Sequence, residues 1–421
     1  MKTSLLPGFK RQFLRARYAP TPSRSVLLIA LGIYSLGTGA ALAGQQIQPT
    51  DLTYLGTINI AYNDSNCGGQ TNQRALGLTY NPSGNGGQGS FYISGRRDTR
   101  CVAEITKPAI GGTATFIQNY ADPTNGKINS IPDSGNGSFI GGHLLHNGNL
   151  FVTGWTYYDA AVQQNVAIFK RSPTLTNNSG LIGPVAVGPG QQGMYNQYMD
   201  NIPSSFQATL GGQAVIGGCC MAIISRTSLG PSLYAFNPDN LGSVTPLLGY
   251  PDGHQTLNTW GASGSHPEAN PTTKMAGVTF IEGTDTVLFV GRTGTGSYCY
   301  GAGSTCGDPE IPDQGTHAYP YVIYMWAYDV DDLAQVKAGA KQMWDVMPYA
   351  KWQLSGIGTT QGDEYPVLGI TFDSAAKRLY ILKNRETNGE PWPQIHVYNV
   401  NVTGSTTTNT APPAPSGLIA K

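Results

Sequence analysis

Few side chains in this sequence are equipped for acid–base or charge-recognition chemistry, and they fall in separated groups. Lys274, Glu364 and Arg74 alternate in sign and precede or open three apolar segments. Brought together they would form an arc able to bind an anion or carboxylate, because arginine meets a carboxylate in bidentate fashion. The same three residues would serve equally as ion pairs between neighbouring elements, and both readings are open. His143 and Tyr157 are candidate bases. With Arg74 to neutralise a uronate carboxylate they make the set that a polysaccharide lyase needs, and Glu364 is a fourth catalytic candidate. A glycoside hydrolase needs two carboxylates facing each other across the bond instead. His266 and Glu268, in Ser-His-Pro-Glu-Ala-Asn, and Tyr365 are candidate ligand contacts beside Lys274. Trp155, Trp260 and Trp392, with Tyr157, Tyr158, Tyr195, Tyr198, Tyr298, Tyr300 and Tyr319, supply rings that could stack on sugar faces or pack the loops that carry them. Asp308, Glu310 and Asp313, near His317, are oxygen ligands of the kind calcium takes, but their spacing matches no known calcium loop, and a solvated acidic loop is the alternative.

The elements that must position these residues are marked by a repeated phrase. Gly77-Leu78-Thr79-Tyr80, Gly277-Val278-Thr279-Phe280 and Gly369-Ile370-Thr371-Phe372 each precede a turn and a second apolar run. Looser copies begin at Gly142 and Gly212. Period-2 alternation and turn residues assign inner, second, third and outer strands to five units. Unit one takes 74–80, 90–94, 102–106 and 113–120; unit two takes 139–145, 149–154, 165–170 and 181–187. Unit three takes 208–215, 221–226, 232–236 and 244–248; unit four takes 274–280, 286–290, 321–329 and 350–354. Unit five takes 367–372, 377–382 and 394–400, and the lone strand over 51–60 is expected to complete it. One helix is expected over 331–344, with Asp at its start and Lys near its end, as the helix dipole favours.

Repeated four-stranded units of this length resemble the β-propeller superfamily, at the level of fold and in its five-bladed form, closed by the N-terminal strand. Seven blades and a β-sandwich are the alternatives. In a propeller the loops entering inner strands share a face with the loops between second and third strands. Here those loops are the long ones, so this top face is the expected functional face. Five-bladed propellers include a clan of glycosidases with an Asp near the start of the first inner strand, and this chain has Arg74 there. No sialidase-type Asp box and no Walker, Rossmann or metalloprotease motif occurs.

Six cysteines in an exported chain predict disulfides. On the propeller layout Cys67 and Cys101 both fall on the top face and are paired. Cys299 and Cys306 share one loop and are paired. Cys219 and Cys220, adjacent, are left for a vicinal disulfide, which this strand assignment puts on the bottom face, away from the site. Residues 1–43 read as a signal peptide: a basic region, an apolar run over 26–42 and Ala41-Leu42-Ala43 before the cut. An uncleaved anchor is the alternative, and Lys10-Arg11 is close to a twin-arginine signal. Residues 44–400 form the propeller and 401–421 a Thr- and Pro-rich disordered tail. Charged residues are 12% of the chain and the net charge is zero, which excludes a broad nucleic-acid surface. The sequence therefore predicts a periplasmic or secreted monomer that binds a carbohydrate or similar polar ligand, with a polysaccharide lyase or glycoside hydrolase as the expected class if it is an enzyme. The rival is a non-catalytic binding or scaffold propeller of the cell envelope. A third class is a quinone-dependent redox propeller. Calcium is the one metal the side chains suggest.

Overall fold

The structure is a computed structural model, and it describes residues 44–61, 75–133, 137–220, 227–251, 269–360, 362, 364–384 and 393–402. Among the described residues twenty-three strands run in chain order. They are β1 (Leu52–Ile60), β2 (Leu78–Asn81), β3 (Ser90–Ser94), β4 (Val102–Thr106), β5 (Thr113–Ala114), β6 (Phe116–Ala121), β7 (Ser138–His146) and β8 (Asn149–Thr156). Next come β9 (Ile168–Arg171), β10 (Ile182–Val185), β11 (Tyr198–Asn201), β12 (Ala214–Gly217), β13 (Leu233–Asn237), β14 (Asn240–Leu248), β15 (Lys274–Ile281) and β16 (Thr286–Gly294). The last are β17 (Cys299–Gly301), β18 (Gly315–His317), β19 (Tyr321–Asp329), β20 (Ala350–Gln353), β21 (Val367–Asp373), β22 (Arg378–Lys383) and β23 (Gln394–Val400).

Hydrogen bonding groups twenty-one of them into five sheets, β2-β3-β4-β6, β7-β8-β9-β10, β11-β12-β13-β14, β15-β16-β19-β20 and β21-β22-β23-β1-β5, and pairs β17 with β18 in a separate hairpin. The chain is a five-bladed β-propeller. The N-terminal strand closes it as the sequence predicts: Leu52 pairs with Val400 and Asn59 with Gln394. One feature was not foreseen. Thr113–Ala114 leaves blade one and adds to the outer edge of β1 in parallel, so the outer strand of blade one shortens to Phe116–Ala121 and blade five gains a fifth strand.

Inner strands touch around the axis, and this explains the repeated glycine. A Cβ at Gly77 would lie 2.5 Å from the His143 ring, one at Gly142 2.6 Å from Tyr198 Cα, and one at Gly369 2.7 Å from the Leu78 nitrogen. Neighbouring blades are then stapled: Thr79 Oγ1 donates to the His143 carbonyl (2.8 Å), the Phe280 amide donates to Asp200 (2.9 Å), and the Gly77 amide donates to the Leu368 carbonyl (2.8 Å). Every position of the inner strand β15 and of the second strands β3 and β16 is buried, whereas the outer strand β20 alternates, because the middle of a blade is covered on both faces and its outer edge on one. The apolar core lies between blades. Ile58, Ile395 and Val397 join one cluster with Leu78 and Val290, and each such side chain contributes about 1.5–3 kcal/mol.

Blade three corrects the sequence reading. Its inner strand is Tyr198–Asn201, and Ala214–Gly217 is the second strand. Residues 208–210, the start of the expected inner strand 208–215, instead end the helix Ser204–Leu210, which is closed by Gly211 in the left-handed region (φ 81°). The expected second strand, 221–226, lies outside the described residues. The expected helix over 331–344 is shorter, Val330–Lys337, capped by Asp329. Lys337 donates to the Ala208 carbonyl, so the two helices pack together on the bottom face.

Candidate functional site at the mouth of the channel

The top of blade four carries the densest charge. Lys274 opens β15 and stands directly opposite Arg292 near the end of β16. Two cations facing each other across strands repel. Glu364, in the segment entering blade five, offsets this: Lys274 Nζ lies 3.1 Å from Glu364 Oε1. Lys274 also donates to the Cys220 carbonyl at 2.8 Å. Burial lowers the pKa of Lys274 and of Arg292. Burial alone would raise the carboxyl of Glu364, but Lys274 and Arg292 hold it below the usual glutamate range, so it is ionised at neutral pH.

Cysteines 219 and 220 form the vicinal disulfide. Because Ala214–Gly217 is a second strand, the pair follows it onto the top face. The sequence reading had placed it on the bottom, and the misassigned inner strand is the cause. Cys220 sits at φ 62° and both cysteines are buried. The pair therefore presents one backbone carbonyl to Lys274 and no open sulfur surface.

Arginine 97, from the loop between β3 and β4, lies over three rings at once. Its guanidinium carbon is 4.0 Å from the Phe139 centroid, 4.9 Å from Tyr157 and 5.2 Å from Trp155. The Tyr365 ring is buried beside Trp155, 6.3 Å between centroids. Its hydroxyl has no hydrogen-bond partner among the described residues. The Tyr157 hydroxyl is pushed up to about 12, first by the charge on Glu364 and then by burial, so it holds its proton at neutral pH.

Above these groups a cavity of about 430 Å³ is lined by Tyr157, Tyr158, Tyr300, Lys274, Arg292 and Glu364, with Pro271 and 311–317 on its wall. The wall is the long insertion of blade four. It is held by the hairpin of β17 and β18 and by the Cys299–Cys306 disulfide. Asp308 anchors it: its carboxylate accepts from Tyr321 Oη (2.5 Å) and the amides of Glu310 and Ile311, and lies 2.7 Å from His317 Nδ1.

No protein-family model matches this chain, and no curated protein matches it. Several solved structures are similar to it. One is an arabinanase from Bacillus subtilis, at 11% identity over 77% of this chain and 94% of that one, with a TM-score of 0.39. A second is a putative glycoside hydrolase from Bacteroides ovatus, at 12% identity over 86% and 94%, with a TM-score of 0.39. A third is a luciferin-regenerating enzyme, at 9% identity over 77% of each chain, with a TM-score of 0.33. The five-bladed architecture rests on the strand pairing described above.

Of the residues singled out in the sequence, Lys274, Glu364 and Tyr157 meet at this cavity, with Tyr365 directly beneath. Arg74, His266, Glu268, Trp260, Trp392 and Cys67 lie outside the described residues. Cys101 is disulfide-bonded and buried. His143 is elsewhere. It lies lower in the channel, 2.8 Å from Ser94 Oγ, and lines a second cavity of about 250 Å³ with Thr79, Asp200 and Thr371. Burial takes its pKa down to about 4. Trp155 is fully buried and donates to the Ile140 carbonyl, so it supports the site from below and presents no face to a ligand. Tyr195 and Tyr198 are likewise buried. Asp308, Glu310 and Asp313 do not converge. Glu310 accepts from Thr360 and Gly362, Asp313 is exposed on the cavity rim, and among the described residues no group of three His, Cys, Asp or Glu could hold a metal ion. The reading missed Arg97 and Arg292. For the charged arc it considered only residues that open inner strands, but the ends of second strands rise to the same mouth.

Proposed function

We propose that this propeller binds a carbohydrate in the cavity at the top of its channel. The observation that carries the reading is the lining itself: tyrosine rings beside an ionised Glu364 and a hydrogen-bonding Lys274. Rings give sugar faces a stacking surface, and charged and amide groups give hydroxyls their partners. A cavity of about 430 Å³ falls in the range that holds a small ligand, so one or two sugar units would fill it. The basic, then apolar N-terminal segment and the paired cysteines favour an exported protein working in the periplasm or outside the cell.

A second reading, cleavage, is favoured by the proton states. Glu364 is held as a carboxylate and Tyr157 as a phenol. One could take a proton while the other gives one to a departing sugar oxygen. A panel of neutral and acidic oligosaccharides, followed by calorimetry and by product analysis, tests both. Binding with product that Glu364→Gln and Tyr157→Phe abolish supports cleavage. Binding without product supports a non-catalytic module, and no binding to any glycan removes the carbohydrate reading.

A further inference from the structure

The channel holds a second cavity that the upper site does not use. Below the mouth the channel narrows to a gap of about 10 Å³ lined by Gly77, Gly142, Gly277 and Gly369. Beneath the gap it widens into the cavity of about 250 Å³. All five inner strands contribute to that cavity, and Pro82, Glu282 and Ser374 of the bottom turns form its rim.

His143 lines both spaces, and its ring leaves one group unmet. The residue is 2% exposed, and its Nε2 lies 2.8 Å from Ser94 Oγ. The Ser94 hydroxyl gives its one proton to the Leu76 carbonyl, 2.6 Å away, so toward the histidine it can only accept. Nε2 therefore carries the ring proton. Burial keeps the ring neutral at pH 7, so Nδ1 holds a lone pair. That lone pair has no hydrogen-bond partner among the described residues. A buried acceptor without a donor is costly, and a ligand with an N–H or O–H group would relieve it.

The same cavity presents carboxylates. Asp200 accepts from the amides of Phe280 and Asn201, each at 2.9 Å, and no cation pairs with it among the described residues. Burial raises its carboxyl to about 6, so it is ionised at neutral pH. Glu282 adds a second carboxylate at the exposed rim, whereas Asp373 is already paired with Lys107. Among the described residues no lysine or arginine lines the cavity, and no group of three His, Cys, Asp or Glu could hold a metal ion. Leu78, Met199 and Ile370 make its wall apolar. An organic cation with a short apolar stem suits this lining better than a bare ion does.

We propose that the lower channel is a second binding site, one that takes a small amino alcohol: the ammonium group meets Asp200 and Glu282, the hydroxyl donates to His143 Nδ1, and the alkyl stem lies along Leu78, Met199 and Ile370. This does not rest on the carbohydrate reading, which concerns the upper cavity.

The test is titration calorimetry of the full chain, at millimolar ligand, with 4-aminobutan-1-ol, 1-aminobutane, butane-1,4-diol and calcium chloride. The amino alcohol is expected to bind about tenfold or more tighter than the diol, because a charge-assisted bond is the stronger kind. It should bind about threefold or more tighter than 1-aminobutane, which brings no hydroxyl to Nδ1. Asp200→Asn keeps an oxygen for the Phe280 amide and should bring the amino alcohol down to the affinity of the diol. Should Asp200→Asn fail to fold, Glu282→Gln in its exposed turn, expected to weaken the amino alcohol about two- to fivefold, and the ranking of the four ligands on the unmodified chain decide. Equal affinity for amino alcohol and diol, or undiminished binding by folded Asp200→Asn, overturns the proposal. Equal affinity for 1-aminobutane overturns the part given to His143. Calcium that displaces the amino alcohol, and that Asp200→Asn no longer binds, assigns the cavity to a metal ion and overturns the amine. No binding by any of the four overturns it as well, and leaves the carbohydrate reading of the upper cavity untouched.

Discussion

The Lys274–Glu364 pair is where the account is most exposed to measurement. Removing one member of a buried pair costs about 3–5 kcal/mol when the survivor is left uncompensated. Glu364 keeps 25% of its side chain exposed, so water recovers part of that loss, and Glu364→Gln should cost about 2 kcal/mol. It leaves Lys274 opposite Arg292 without the carboxylate that pairs with it. Lys274→Met should cost less, about 1 kcal/mol, because Arg292 still neutralises Glu364 and the cross-strand repulsion disappears. The double variant should therefore be more stable than the sum of the two losses, by about 1–2 kcal/mol of coupling. Urea unfolding of the four proteins measures this, with the slope checked for constancy. The pH dependence has a definite sign. Glu364 titrates below its unfolded value, so its contribution is full above about pH 4.3 and is lost as pH falls through the lower folded value. The gap between the unmodified chain and Glu364→Gln should close in that acid range. Losses that add within about 0.5 kcal/mol, or a gap that widens in acid, would refute the reasoning.

Three further predictions follow from other parts of the ring. Ile58, 1% exposed in the closing strand, should cost about 2–4 kcal/mol as Ala, while Thr53→Ala on the exposed side of the same strand should cost under about 0.5 kcal/mol; equal effects would show that β1 does not seal the propeller. His143 and His396 are each brought from 6.5 to about 4, chiefly by burial. The unfolded chain therefore binds protons first, and stability should fall as pH drops from about 6.5 to 4, by up to about 3 kcal/mol per histidine. Thermal midpoints that stay level across that window would contradict it. Replacing Cys219 and Cys220 by Ser should leave the fold intact and weaken saccharide binding about two- to tenfold, since the carbonyl that fixes Lys274 is no longer held; unchanged affinity would assign the disulfide no part in the site.

Much of this fold was legible because the inner strands advertise themselves. Glycine is required at Gly77, Gly142 and Gly369, where neighbouring inner strands approach at the axis, and the threonine two residues after Gly77 staples that strand to its neighbour. Blade three escaped because its inner strand, Tyr198–Asn201, carries neither residue. Asp200 stands at the stapling position, and a helix replaces the tight turn that other blades use. That one slip moved Cys219 and Cys220 to the wrong face. The site was half legible. Lys274 and Glu364 announced themselves by position, whereas Arg97 and Arg292 owe their place to the upward end of second strands and to rings from another blade. Trp155 and His143 show the converse: ligand-capable chemistry, placed by burial in supporting roles.

Hydrogen–deuterium exchange with and without a bound oligosaccharide tests most directly whether the top of the channel is the working face. The account predicts slowed exchange at 95–101, 157–164 and 295–317, with the bottom turns at 82–89, 282–285 and 374–377 unchanged. Protection confined to those bottom turns, or to the helix Ser204–Leu210, would contradict it.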